Sequence, residues 1–262
     1  MSGRYVALGS SMAAGPFIAP RAKGSPVRAG RSARNYAHLA ASALRLDLVD
    51  VTFSGATTAH VLRDKQLDAP PQIDALDGSE ALVTVTIGGN DVGYVPLLTA
   101  ACLPWPARWL PVIGDRIRNL RDRAARDRAL DEVAVSLREV GEAVRRRAPN
   151  ARVLFVDYLT VLPPAGQEAC PLSNTDADLG RHVAARLEKL TADAAAATGC
   201  GLVKAGEASR RHHAWSADPW TAGVTLLLPG RPMPMHPNAA GMRAVADLVA
   251  AHVRSGLPEW AP

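Results

Sequence analysis

Four short segments of this chain carry side chains that together suit acyl transfer. Gly9-Ser10-Ser11 brings hydroxyls near the N-terminus, and Ser54-Gly55-Ala56-Thr57 is a small-residue turn. Gly88-Gly89-Asn90-Asp91 presents a carboxamide, and His236-Pro237-Asn238 an imidazole near the C-terminus. A serine hydroxyl is un-ionised at neutral pH and attacks a carbonyl only with a base within hydrogen-bond reach. The tetrahedral intermediate then needs donors aimed at its oxyanion. A backbone N–H at glycine and an asparagine amide both suit that task. Each segment alone has a plainer reading. Ser11 caps a helix, Gly55 and the Gly-Gly-Asn-Asp run make turns, and His236 precedes a helix start. Ser10 is a rival hydroxyl for Ser11, and Asp91 reads as a helix cap or local acceptor.

The elements that must position these residues follow from apolar spacing. Tyr5–Leu8, Leu48–Phe53, Ala81–Ile87, Arg152–Val156 and Gly201–Lys204 read as short buried strands. Asn35–Leu46, Leu130–Arg147, Asp178–Thr198 and Asn238–Arg254 have helical spacing. Strands alternating with helices predict a three-layer α/β/α sandwich around a mainly parallel, five-stranded sheet. Ligands of such sheets bind beyond the carboxyl ends of the strands, and the first three segments each follow a strand. Gly9-x-Ser11 is not the G-x-S-x-G elbow, and Gly9–Gly15 lacks G-x-G-x-x-G.

The order and spacing of the four segments resemble those of the SGNH hydrolases, the GDSL esterase/lipase family. Their blocks are Gly-Asp-Ser near the N-terminus, a Gly, an Asn in Gly-x-Asn-Asp, and a His in Asp-x-x-His near the C-terminus. The likeness runs from residue 9 to residue 236. It implies Ser11 as nucleophile, His236 as base, and Gly55, Asn90 and the Ser11 N–H as oxyanion donors, with no metal or cofactor. Two positions depart from the pattern: Ser10 replaces the Asp before the nucleophile, and Met233 the Asp before the histidine. The chain is similar in this to actinobacterial secreted esterases of the family that use a Ser-His dyad. Their backbone carbonyl at that position implies the Met233 carbonyl as the group orienting His236, with Asp218 as a competing acid. The resemblance implies a serine ester hydrolase acting through an acyl-enzyme on short- to medium-chain acyl or aryl esters. A carbohydrate O-acetyl esterase, an acyltransferase and a catalytically degenerate binding module remain open beside it.

Composition narrows the field further. The chain has 262 residues, 48% of them hydrophobic and 21% charged, which suits one domain over 1–262. Basic residues along Arg116–Arg128 alternate with Asp115, Asp122 and Asp127, as on a salt-bridged helix face, so no nucleic-acid partner is expected. Apolar runs are too short for a membrane span. Cys102, Cys170 and Cys200 lack CxxC spacing, and a Cys102–Cys170 bridge stays open. The other six histidines, among them His212, show no metal-ligand pattern. The N-terminus lacks signal-peptide order, leaving a cytoplasmic protein or a trimmed, secreted one. Oligomeric state is not legible. Cys102–Gly114 and Asp157–Thr175 read as functional loops. Leu226–Leu228, Met233, Met235, Trp105 and Trp109 are candidates for an apolar acyl site, and Trp215 and Trp220 for its wall.

Overall fold

The structure, a computed structural model, describes residues 3–102, 113–224 and 233–255. Five strands form one sheet: β1 (Arg4–Gly9), β2 (Asp47–Asp50), β3 (Glu80–Thr86), β4 (Arg152–Val156) and β5 (Gly201–Val203). Their spatial order is β2-β1-β3-β4-β5, and every pairing is parallel. Between and after them run α1 (Ser11–Ala14), α2 (Tyr36–Leu44), α3 (Thr58–Leu62), α4 (Tyr94–Ala101) and α5 (Ile113–Leu120). The longer α6 (Arg123–Arg147) and α7 (Asn174–Ala197), the short α8 (Ala205–Ala208) and α9 (Ala239–Ser255) complete the helices described.

Alternation along the strands builds the layers. In β1, Val6 and Leu8 face one side, where they join Leu130, Val133, Leu137 and Val140 of α6 and Val183 and Leu187 of α7. Tyr5 and Ala7 face the other side, against Tyr36 and Ala40 of α2 and Met242, Val245 and Val249 of α9. The sheet is therefore covered on both faces, which is why its strands read as unbroken apolar runs rather than alternating ones. Each fully buried Leu, Val or Met here contributes about 1.5–3 kcal/mol of apolar transfer.

Several boundaries differ from the sequence reading for local reasons. The second strand ends at Asp50 rather than running on to Phe53. The Asp50 carboxylate accepts from the Thr52 N–H at 3.0 Å and the Thr52 hydroxyl at 2.6 Å, a turn that competes with the ladder. The helix expected from Leu130 begins at Arg123, capped by the Asp122 side chain, and the one expected from Asp178 begins at Asn174, capped by Ser173. Half of the Arg-rich stretch is a salt-bridged surface, with Arg118 on Asp115, Arg121 on Asp176 and Arg123 near Asp127. Arg126 departs from it: it is buried and donates to the Val92 carbonyl at 2.7 Å. Cys170 is an exposed free thiol, so the Cys102–Cys170 bridge is not formed. Trp105, Trp109 and Leu226–Leu228 lie outside the described residues.

Candidate active site

The chain turns from β1 to β2 on one side and then to β3 on the other, so the sheet changes direction between β1 and β3. A crevice opens at such a point, beyond the carboxyl ends of the two strands. Ser11 directly follows β1, and Asn90 lies just past β3. Both are held from below by a buried hydroxyl network. Tyr36 Oη meets Thr86 Oγ1 at 2.8 Å, Tyr5 Oη meets Thr84 Oγ1 at 2.8 Å, and the Ser10 N–H donates to the Thr86 carbonyl at 3.0 Å.

His236 reaches this crevice from the far end of the chain. Its Nε2 lies 2.8 Å from Ser11 Oγ, a contact between residues 225 apart. Its Nδ1 lies 2.8 Å from the Pro234 carbonyl. A carbonyl only accepts, so Nδ1 carries the proton and the Nε2 lone pair faces the Ser11 hydroxyl. Burial holds the imidazole below its ordinary pKa, and the Pro234 carbonyl offsets part of that shift. The ring is therefore neutral at neutral pH and ready to accept a proton.

The orienting carbonyl belongs to Pro234, not to Met233 as expected. The Met233 carbonyl instead accepts the His236 backbone N–H at 3.2 Å, closing a turn over residues 233–236. Proline at the second position and a positive φ of 59° at Met235 mark a type II turn. That turn flips the Pro234–Met235 peptide, and its carbonyl thereby meets the imidazole. Asp218 does not complete a triad either. Its exposed carboxylate lies 3.3 Å from His212 Nδ1, and its own carbonyl 2.8 Å from the same atom. His212 stacks on Trp220 with ring centroids 4.0 Å apart.

Of the two neighbouring hydroxyls, the structure brings Ser11 to His236. Ser10 Oγ instead lies 3.2 Å from Tyr158 Oη, which also accepts the Gly89 N–H at 3.0 Å. Tyr158 thus ties the segment after β1 to the segment after β3. The tie requires glycine at 89, because a Cβ there would collide with the Tyr158 ring. Burial pushes the Tyr158 hydroxyl up to about 12, so it stays protonated.

Two of the three expected oxyanion donors have no acceptor among the described residues, and the third keeps one hydrogen available. Gly55 has φ +83°, a left-handed conformation that favours glycine, and its N–H has no hydrogen-bond partner among the described residues. The Ser11 N–H is likewise free of a protein acceptor among them. Asn90 Nδ2 spends one hydrogen on the Ala56 carbonyl at 2.8 Å, which fixes the amide plane and leaves the second hydrogen available. Asp91 takes no part in this set. Its carboxylate accepts from the Thr58 N–H and hydroxyl, the latter at 2.6 Å, and caps α3.

Sequence reasoning missed Tyr158, Gln72 and Pro234. Gln72 is buried and brackets one residue of β1, Gly9, at both of its backbone polar groups. Its Oε1 accepts the Gly9 N–H at 2.7 Å, and its Nε2 donates to the Gly9 carbonyl at 3.0 Å. Tyr158 carried a usable signal, since it lies two residues past β4, where the strand-end rule applies equally. Gln72 carried none, because its partner is 63 residues away.

An apolar cavity of about 550 Å³ adjoins the site. Pro16, Ile18, Val27, Ser54 and Met233 are among its lining residues. Ser54 precedes Gly55, and Met233 opens the turn that carries His236. A second cavity of about 230 Å³, bordered by Tyr158, Leu162 and Arg181, is lined by none of the four segments.

Comparison with known proteins fits this geometry. Residues 7–244 match the GDSL-like Lipase/Acylhydrolase family. Lipase 2 of Streptomyces coelicolor is 34% identical over 251 residues, covering 93% of this chain and 83% of the relative. The crystal structure of a phospholipase A1 from Streptomyces albidoflavus superposes with a TM-score of 0.73 at 26% identity, covering 97% of this chain and 99% of that one. An extracellular lipase from Streptomyces rimosus superposes with a TM-score of 0.75 at 25% identity, covering 96% and 99%.

Proposed function

The chain belongs to the GDSL-like lipase/acylhydrolase family and is a carboxylic-ester hydrolase, and from that premise we propose that Ser11 and His236 carry its reaction as a dyad. The observation behind this reading is the 2.8 Å contact between Ser11 Oγ and His236 Nε2, with Nδ1 held by the Pro234 carbonyl. His236 takes the hydroxyl proton as Ser11 Oγ bonds to the ester carbonyl carbon. The carbonyl oxygen becomes an oxyanion held by the Ser11 and Gly55 N–H groups and the Asn90 amide. Collapse expels the alcohol, protonated by His236, and leaves an acyl-Ser11 ester. His236 then deprotonates water, which attacks that ester and releases the acid and free Ser11. The Pro234 carbonyl fixes the tautomer, and its dipole supports the imidazolium less strongly than a carboxylate would.

The apolar cavity takes the acyl chain in this reading. Pro16, Ile18, Val27 and Met233 offer contact surface to methylenes, and the cavity surface is chiefly apolar even though Arg21, Arg28, Arg31 and Ser54 also border it. We therefore assign short- to medium-chain acyl esters as substrates. A p-nitrophenyl ester series tests this. The expected kcat/KM rises from acetyl towards medium chains, and Ile18→Trp, which fills the cavity, shifts the optimum back to acetyl. A flat profile, or one unmoved by Ile18→Trp, contradicts the assignment.

A further inference from the structure

The segment between α1 and α2 is a two-limbed surface arm held to the body at its inner side, where Ile18 and Ala29 are buried and the Ser54 N–H donates to the Ala29 carbonyl at 3.0 Å. Its two limbs are joined by the Ala22 N–H on the Arg31 carbonyl at 2.9 Å and the Ala33 N–H on the Pro20 carbonyl at 2.8 Å. Residues 1–46 contain no Asp or Glu, yet the arm and its base carry Arg21, Lys23, Arg28, Arg31 and Arg34. Arg31 turns inward, donating from Nε to the Thr52 carbonyl at 2.6 Å. Arg21, Lys23 and Arg28 are exposed, and none of them pairs with a carboxylate among the described residues. On the Arg-rich surface of α5 and α6, Arg116 and Arg128 meet no acid among the described residues, but Arg118, Arg121 and Arg123 each do. Acids are interleaved with them there, whereas the arm has none.

The same arm exposes apolar side chains. Phe17 is 57% exposed and Val27 76%, and both line the apolar cavity beside Ser54 and Met233. Unneutralised cations beside outward apolar side chains suit an anionic bilayer. The cations gain from the surface potential, while the apolar tips enter the headgroup boundary. Single-stranded nucleic acid wants several stacking aromatics, and Phe17 is the sole aromatic between residues 6 and 35.

We infer that this arm docks the enzyme on an anionic lipid bilayer, with the cavity mouth facing the lipid. The placement of the acyl chain rests on the reading above, but the docking is measured without turnover. Ser11→Ala protein is sedimented with vesicles of phosphatidylcholine, and with vesicles of equimolar phosphatidylglycerol and phosphatidylcholine. The expected result is binding to the anionic vesicles that weakens with salt and exceeds binding to the neutral ones. Lys23→Gln/Arg28→Gln, two side chains with no hydrogen bond or ion pair among the described residues, lowers the partition coefficient by about 25-fold, roughly fivefold per cation. Phe17→Ser weakens binding at low and high salt alike, and thermal unfolding of each variant checks its fold. Equal binding to both vesicle types overturns the proposal. So does binding unchanged in Lys23→Gln/Arg28→Gln, or an oligonucleotide that displaces the vesicles through the same two cations. Failure of the docking shows as Ser11→Ala protein that does not prefer anionic vesicles, whereas failure of the hydrolase reading shows as turnover that survives Ser11→Ala.

Discussion

A histidine 1% exposed keeps its proton only reluctantly, and that sets the pH range in which a Ser11–His236 pair can work. Burial lowers the His236 pKa below 6.5, and the protonated form cannot accept the Ser11 proton. The acid limb of the kcat/KM profile is therefore expected to have its midpoint below pH 6.5, with activity rising as pH rises through it. A midpoint above that value would place the controlling group elsewhere. Asn90→Ala keeps the dyad but removes an oxyanion donor, so kcat is expected to fall by about 10²–10³-fold with KM little changed. The types and order of Ser11, Gly55, Asn90 and His236 were legible in the sequence because each follows a strand or opens a helix. The group that orients His236 was misplaced by one residue. Spacing alone does not reveal that the peptide after Pro234 is flipped.

At the level of elements, strand positions were legible as β-branched apolar runs because both faces of the sheet are covered. Strand and helix ends were less so, since they depend on single side chains such as Asp50, Asp122 and Ser173 that compete for backbone groups. Gln72 was illegible because its work lies between elements far apart in sequence, whereas Tyr158, two residues past β4, was within reach of the strand-end rule. Gln72 opens the turn before β3 and clamps the end of β1 two residues ahead of Ser11. Gln72→Ala leaves the buried Gly9 N–H without its acceptor, at a cost of about 1–3 kcal/mol. The expected outcome is a lower Tm together with a fall in kcat larger than any change in KM, because Ser11 loses its fixed approach. A Tm and kcat equal to those of wild type would show that the clamp is idle.

Across the whole molecule, one buried carboxyl couples stability to pH. Asp157, just past β4, accepts the Gly206 N–H at 2.8 Å, and burial, aided by the nearby Glu188 charge, raises its pKa to about 7. An unfolded chain titrates the same group near 3.8. Between those values the folded protein holds a proton that the unfolded one lacks, so stability declines as pH rises across that window. The loss is complete above about pH 7 and absent below about pH 4. Asp157→Asn keeps an acceptor for Gly206 and removes the charge. Its Tm is expected to exceed that of wild type at pH 8 and to match it at pH 4. A gain equal at both pH values would mean that the Asp157 charge is not what is relieved.

The account stands or falls on Ser11 being an activated nucleophile. The direct measurement is intact-mass spectrometry of the folded protein after exposure to a p-nitrophenyl alkylphosphonate, with wild type, Ser11→Ala and His236→Ala treated alike. The expected result is one phosphonyl group on the wild type, mapped to Ser11 and formed in step with loss of ester turnover. Ser11→Ala should stay unlabelled, and His236→Ala should react about a thousandfold more slowly or worse. Wild-type protein that hydrolyses esters without gaining the label on Ser11, or a Ser11→Ala protein that is labelled and active, would contradict it.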